Sequence, residues 1–295
     1  MQTELWKKRE ETEFLFKSII NFENLYLPVR DMKGVKLDKI CSSLMSLGIV
    51  SSFGLPGLMT VLLAVNSCMP PHLGYVFFKS QLGSCSVHDF TTQIIVLMAD
   101  AYLWIIALPH GLFYVFQGLL VGVRCQDFYL KLLTWGHRNA ATSGSQKDDL
   151  SLKIYREIQI LNKIFNTVFQ DAFFPGVIAV GIFVAIMGMF AILKLRHAIP
   201  FPAIMFFPII ASDGLSIIFI AKIAALAYVQ SQHFLKLLSS RSIHYKRVSV
   251  FRKRLNALDK IKIKFGGNFV DQGTPFVFMD FWITQTVSLM LLTDK

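Results

Sequence analysis

Five long apolar blocks are the feature that most restricts how this chain can fold. Each block is long enough to cross about 30 Å of hydrocarbon as an α-helix, a crossing that needs roughly 20 residues. Lipid offers the backbone no hydrogen bonds, so a spanning block must be helical or belong to a closed barrel. The blocks therefore predict five membrane-spanning helices. We place them at residues 41–66, 93–123, 172–193, 198–221 and 272–292.

The composition agrees with a membrane protein. Hydrophobic residues make up 54% of the chain and charged residues only 17%, whereas soluble domains average about 25% charged residues. A soluble core would not hide so much apolar surface. We therefore predict an all-α fold, a polytopic membrane helical bundle with a multi-pass location in the cell membrane.

Proline and glycine interrupt two of the predicted spans. The second span contains Asp100 as its one formal charge, and the combination of Pro109 with Gly111 predicts a kink in it. The fourth span carries Pro200, Pro202 and Pro208 near its start. A kink is therefore expected in the second span.

The basic residues between the spans predict the orientation, because Lys and Arg are enriched in cytosolic connections. Residues 1–40, 124–171 and 222–267 hold eight, seven and eleven basic residues, whereas residues 67–92 hold one. The short turn 194–197, with two basic residues, is the exception. We expect a cytosolic N-terminus and an extracellular C-terminus.

The spans and connections divide the chain into six segments. They are a cytosolic N-terminal segment (1–40), the first two spans (41–123), a cytosolic loop with a long amphipathic helix (124–171), the third and fourth spans (172–221), a basic cytosolic connection (222–271) and the terminal helix (272–295).

Both long inner connections show helical spacing of their apolar residues. From residue 150 to 169 apolar side chains recur every three or four positions, which predicts one amphipathic helix that continues into the third span. The segment 233–265 is basic and is also spaced for helices. It could lie on anionic membrane lipid or pack on the long helix and on neighbouring subunits, and packing is favoured. No nucleic acid partner is expected beside a membrane.

Motifs for chemistry are missing from the sequence. The cysteines and histidines lack the close pairs of a tetrahedral metal site, and no phosphate loop, nucleophile elbow or paired-carboxylate motif occurs. We expect neither an enzyme nor a cofactor. Cys68 and Cys85 lie in the connection assigned to the outside, where they form either a disulfide or two unrelated free thiols.

Acidic residues at membrane depth are costly and usually face a cavity or a basic partner. Asp100, Asp213 and Asp280 lie within predicted spans. Asp280 is expected at the same level as Lys222, which predicts an intramembrane ion pair between them. The alternative is that both side chains extend to the interface.

Aromatic residues near the outer halves of the spans suggest a ligand pocket. Tyr102, Trp104, Phe206 and Phe207 could line a site for a small apolar ligand. Packing against lipid is the alternative fate of such side chains.

The terminal helix carries polar residues in its middle. Thr284 and Ser288 share a face, Gln285 lies one step round, and Leu291 continues the stripe. These groups either bond to a neighbouring helix of the same chain or line a water-filled path where several copies meet.

The chain resembles the arthropod gustatory and odorant receptor superfamily, whose members are seven-transmembrane chemoreceptor-like ion channels. The resemblance rests on the orientation, the helix 155-YREIQILNKIFNTVFQ-170, the basic inner connection and the terminal 284-TQTVSLMLL-292. It covers residues 40–295 and matches a divergent member without its first two helices. The family's terminal helix reads Thr-Tyr, five mostly apolar residues, then Gln-Phe. Here Thr284 is kept, followed by Gln285, with Leu291 and Leu292 at the second pair.

The resemblance implies a homo- or heterotetrameric cation channel opened by a small apolar or tastant-like ligand. The last helix would line the pore, with Ser288 and Leu291 at its narrow part and Thr284 and Gln285 nearer the cytosol. A secondary transporter and a non-conducting membrane scaffold are the alternatives.

Overall fold

The structure is a computed structural model that describes residues 8–26, 39–65, 90–139, 145–194, 204, 206–241 and 248–292. Nearly all of these residues are helical. The elements are α1 (Arg9–Tyr26), α2 (Lys39–Val65), α3 (Phe90–Phe113), a π-helical segment (Tyr114–Val121), α4 (Gly122–Asn139), α5 (Ser145–Phe169), α6 (Phe173–Lys194), α7 (Phe206–Arg241), α8 (Val248–Asn256), β1 (Lys264–Phe265), β2 (Asn268–Phe269) and α9 (Thr274–Leu292).

Five of the described helices are long and apolar enough to cross a membrane, as many as the spans predicted, and the helical fold class is confirmed. The candidate spans are Ser42–Val61, Ile94–Leu112, Phe173–Lys194, Phe206–Ser240 and Thr274–Leu292. They are compatible with a multi-pass membrane protein.

The fourth span differs most from its predicted bounds. Helix α7 begins at Phe206 and continues to Arg241, well beyond the predicted end at residue 221. The continuation has a physical reason, because it keeps one buried face after Lys222, which is exposed. Its buried residues include Ile223, Ala224, Ala227, Phe234 and Leu238.

The prediction of one helix running from the inner connection into the third span was wrong. Helix α5 ends at Phe169, and α6 begins at Phe173 after a turn. The turn frees the carbonyl of Gln170 to accept a hydrogen bond from the backbone N–H of Gly266, at 2.7 Å. A carbonyl at a helix end has no partner within its helix, so this bond from a distant segment stabilises the break.

The helical expectation for 233–265 holds only in part. Helices α7 and α8 cover residues up to 241 and from 248 to 256, but β1 and β2 form an antiparallel hairpin with Lys264 opposite Phe269. The residues before β1 alternate in burial, with Ile261 and Ile263 each 1% exposed. Burial that alternates with a period of two residues is typical of an extended chain. This segment is therefore extended, although its apolar residues are spaced for a helix.

The predicted kink in the second span lies close to a change in helix geometry. Pro109 is accommodated inside α3, and the π-helical segment Tyr114–Val121 follows directly. Such geometry is rare and commonly marks a local bend.

The chain divides into two compact units. The first unit comprises Met1–Leu37, Leu119–Ala179 and Ile217–Met279, and the second comprises Asp38–Gly118, Val180–Ser216 and Asp280–Lys295.

In the first unit α5 packs against both α1 and α4. Phe22 of α1 lies against the ring of Tyr129, with centroids 4.7 Å apart. The Tyr129 hydroxyl donates to Glu23 at 2.6 Å, and burial is the main cause that raises the pKa of Tyr129. The close approach of α4 to α5 depends on Gly122, where a Cβ atom would lie 2.6 Å from the Phe165 ring.

In the second unit α2 packs against α3, and the parts of α6 and α7 that belong to this unit approach closely. A Cβ atom at Gly214 would lie 2.4 Å from the carbonyl oxygen of Gly181. The side chain of Ser51 on α2 donates to the Asp213 carboxylate on α7 at 2.7 Å. Small residues thus bring the helix backbones together, as is common between membrane helices.

Candidate functional site

Helix α9 presents a polar stripe to its surroundings. Asp280, Thr284 and Ser288 follow one another at intervals of four residues, so they share one face, and Leu291 continues it. All four are exposed, as is Gln285. The sequence predicts the stripe from Thr284 onward, and Asp280 extends it by a carboxylate toward the start of the helix. We name Asp280, Thr284, Ser288 and Leu291 the α9 stripe.

The remaining surface of α9 is also little covered. Only 11% of its span is buried within the chain, the smallest share among the five candidate spans. Its exposed apolar side chains are Phe276, Val277, Met279, Phe281, Ile283, Val287 and Leu292. Thr286 is the buried member of the polar group and donates to the Trp282 carbonyl of the same helix at 2.8 Å. The α9 stripe is therefore open to lipid, water or another protein rather than packed against the described part of its own chain.

The start of α9 is capped by Asp271. Its Oδ1 atom accepts hydrogen bonds from the backbone N–H groups of Gly273 and Thr274, at 3.0 and 2.9 Å, and from the Thr274 hydroxyl at 2.7 Å. These are the free donors of a helix N-terminus. The hydrogen bond from the Thr274 hydroxyl is the main reason that the pKa of Asp271 is lowered. The cap fixes where α9 begins.

Residues 259–266, which we call the strap, lead toward that cap and are bound along α5. Three amide side chains on one face of α5, together with that of Gln170 in the turn after α5, hold the strap backbone. Gln159 donates to the backbone carbonyl of Asp259, and Gln170 donates to that of Gly266 at 2.9 Å. Asn162 and Asn166 both donate to the backbone carbonyl of Lys262, at 3.1 and 2.8 Å. The side-chain oxygen of Asn166 also accepts from the backbone N–H of Lys264 at 2.9 Å.

A buried hydroxyl pair joins the strap to α7 as well. Tyr155 is fully buried, and its hydroxyl lies 2.7 Å from Ser231 Oγ and donates to the Asp259 carbonyl at 2.9 Å. Since a phenol has one proton, the Ser231 hydroxyl donates to Tyr155. Ser231 in turn accepts from the backbone N–H of Ile261 at 2.8 Å. Burial raises the pKa of Tyr155 to about 12, against the opposing effect of the Ser231 hydrogen bond.

The sequence did not reveal the strap. Its partners lie on α5 and α7, far away in the chain, and only the amide spacing 159, 162, 166 and 170 hinted at a polar face. Amides at intervals of three and four residues occur on one side of a helix. That signal alone cannot identify the segment that the amides bind.

The proposed pocket residues all lie in the second unit. Phe206 and Phe207 contact each other edge to face, with centroids 5.7 Å apart. Tyr102 is 64% exposed and Trp104 is half-buried. Because Tyr102 and Trp104 are two residues apart on α3, they do not share a face. The pocket stays a prediction, and a single cavity would use one of these two side chains.

The remaining site residues also stay predictions. Lys222 belongs to the first unit and Asp280 to the second, and both side chains are exposed. Cys68 and Cys85 lie outside the described residues.

No protein-family profile matches this chain, and no curated protein is significantly similar to it. What the protein does must therefore be inferred from its own residues and their arrangement.

Proposed function

We propose that the protein is a chemosensory receptor subunit of the gustatory and odorant type and acts as a ligand-gated cation channel in the cell membrane. The observation that carries this proposal is the α9 stripe, which is polar, exposed and located on the least covered of five apolar helices. Several copies, four in the arrangement that we favour, would place their stripes around a shared aqueous axis.

The physical reason is the solvent. Lipid cannot bond to the side chains of Thr284, Gln285 and Ser288, whereas water or a neighbouring subunit can. A helix that is polar on one stripe and apolar elsewhere is therefore suited to face water on one side and protein or lipid on the other. Leu291 on the same stripe would supply an apolar constriction of the kind that gates pores by dewetting.

Asp280 supports cation rather than anion passage. With a cytosolic N-terminus, α9 starts on the cytosolic side, so Asp280 would lie at the inner mouth of the pore. Rings of carboxylates favour cations in such a position. This role competes with the predicted ion pair to Lys222, because a carboxylate neutralised by lysine would attract cations less.

The strap and the Asp271 cap would give the pore helix a fixed base. Three amides of α5, the amide of Gln170 and the Tyr155 hydroxyl hold the strap, and the cap follows it. A small ligand, apolar or tastant-like, would act on the outer part of each subunit, near Trp104, Phe206 and Phe207.

The test is electrical recording from cells that express the chain, with a panel of odorants and tastants. We expect a ligand-evoked cation conductance, and we expect D280N to reduce the permeability of cations relative to chloride several-fold. The control E11Q removes an exposed carboxylate on α1 and should leave selectivity unchanged.

An unchanged selectivity in D280N, with currents otherwise intact, would remove Asp280 from the pore. The absence of any evoked current, in cells where the protein reaches the surface, would argue against the channel itself.

One observation favours a second candidate, a secondary transporter. Ser51 is fully buried and donates to Asp213 inside the candidate spans, and acids at this depth often serve ion coupling. A transporter would show uptake that D213N abolishes, without a ligand-evoked conductance.

A further inference from the structure

We propose that a basic groove in the first unit binds a ligand carrying several phosphate groups. The groove has a volume of about 930 Å³ and lies between α5 and the strap. Lys163 of α5 and Lys260, Lys262 and Lys264 of the strap are among its lining residues. The inference rests on this geometry and does not depend on channel activity.

The alternation of the strap directs its lysines to one side. Ile261 and Ile263 are buried in the first unit, each 1% exposed, while Lys260 and Lys264 are exposed and Lys262 is half-buried. Next-but-one residues of an extended chain lie roughly 6.6 Å apart on the same face. Three ammonium groups in such a row match several phosphates on one molecule better than a single anion.

The positive charge of the groove is not cancelled by the protein. Among the residues that the structure describes, none of these four lysines has an ion pair, and Asp259 is the only carboxylate lining the groove. Adjacent ammonium groups repel one another, so a polyanion between them would gain more than a monovalent ion.

Aromatic rings position two of the ammonium groups. The Lys262 Nζ atom lies 4.7 Å from the centroid of the Phe269 ring, and Lys260 Nζ lies 5.9 Å from that of Tyr228. The rings themselves pack together, with centroids 5.4 Å apart. A ring attracts a cation without neutralising it, so both charges stay available to an anion.

The backbone beneath the lysines is already ordered. The amides of Asn162 and Asn166 bind the backbone carbonyl of Lys262 in the middle of the row, and the amide of Gln170 binds that of Gly266 just beyond it. Ligand binding would therefore cost little backbone entropy, because the site is held in place before the ligand arrives. Lysine is a common phosphate ligand in proteins, acting as a point charge.

Two sources could supply such a ligand, the headgroup of a phosphoinositide lipid or a soluble polyphosphate. The shared chemistry is a cluster of phosphate groups. A headgroup is within reach only if the groove lies near the membrane surface, whereas a soluble molecule has no such restriction. The two sources are separated by experiment.

The experiment measures binding to the purified full-length protein in detergent by isothermal titration calorimetry. Inorganic tripolyphosphate is the soluble probe. Phosphatidylinositol 4,5-bisphosphate in mixed micelles is the lipid probe, with phosphatidylcholine as its neutral control. The groove variant is K163Q/K264Q, which alters two exposed lysines, and the matched control K153Q/R252Q removes two exposed charges elsewhere in the same unit.

We expect saturable binding of at least one phosphate probe at physiological ionic strength. K163Q/K264Q should weaken it roughly tenfold or more, the loss expected for one or two charge-assisted hydrogen bonds, and K153Q/R252Q should weaken it less than about twofold, as screened surface charges do. Binding of only the lipid or only the soluble probe identifies the source.

Equal weakening by both variants would overturn the proposal, because it would show general attraction to a basic protein. The lack of saturable binding to either probe would overturn it as well. Should K163Q/K264Q fail to fold, K260Q at another exposed position of the row gives the same test, and it should reduce the affinity for the same probe.

Discussion

At the scale of single residues, the Tyr155 hydroxyl is the most informative group. The helical spacing of Tyr155 with other apolar residues predicts that its ring faces a core, and the residue is fully buried. The partners of its hydroxyl could not be predicted, since Ser231 and Asp259 lie 76 and 104 residues away in the chain. Periodicity indicates which face is buried, but not which distant polar group completes it.

Replacing Tyr155 by phenylalanine should destabilise the first unit. Y155F keeps the ring, which stacks on Phe234, but leaves Ser231 and the Asp259 carbonyl each without one partner. The expected loss is about 1–3 kcal/mol of unfolding free energy, read as a lower thermal unfolding temperature in detergent. Y102F removes a hydroxyl from a side chain that is 64% exposed and should change little. Equal unfolding temperatures for the two variants would contradict the hydrogen-bond assignment.

The same variant gives a pH test. The pKa of Tyr155 rises from 10.0 to about 12 on folding, mainly through burial. The folded protein thus holds this proton more tightly, so the group's contribution to stability is complete below pH 10 and is lost as the pH rises toward 12. In Y155F this part of the alkaline destabilisation should be absent.

At the scale of elements, the sequence predicts that helices exist better than it predicts where they end. The apolar blocks identified all five described helices that are long and apolar enough to span a membrane, because length and composition are enough for that. The break between α5 and α6 has no glycine or proline at residues 170–172, and it is stabilised by the distant Gly266. Likewise α7 passes its predicted end because tertiary packing continues to cover one face.

The contact between α6 and α7 yields a prediction at this scale. G214V places a branched side chain where even a Cβ atom would lie 2.4 Å from the Gly181 carbonyl and 2.7 Å from the Ala185 Cβ atom. Overpacking of this kind costs roughly 1–3 kcal/mol, and backbone must move, so we expect a lower unfolding temperature and a smaller monodisperse fraction in size-exclusion chromatography.

The matched control is G57A, since a Cβ atom at Gly57 on α2 meets nothing within 4 Å. Its unfolding temperature should stay near that of the unmodified protein or rise slightly, because alanine favours helix over glycine by about 1 kcal/mol. A tolerated G214V would mean that α6 and α7 are farther apart than described.

At the scale of the whole molecule, the sequence predicts that a single chain crosses lipid as helices, but not what its exposed surfaces contact. The α9 stripe was visible as polar residues at helical spacing. Its exposure emerged only from the structure, because the sequence allowed the alternative of bonds to a neighbouring helix within the chain. The Thr286 hydroxyl donates to the carbonyl of Trp282 within the same helix, whereas Thr284 and Ser288 are exposed.

The central claim is that several copies place the α9 stripe around water. The most direct test is cysteine accessibility in a channel that conducts, using a membrane-impermeant thiol reagent and comparing S288C with M290C. Met290 lies two residues further on, about 200° round the helix from Ser288, so it is matched in depth but faces away from the proposed axis. We predict that the reagent blocks the ligand-evoked current in S288C and leaves the current of M290C unchanged. A current that persists in modified S288C, or is lost equally in both variants, would contradict the claim.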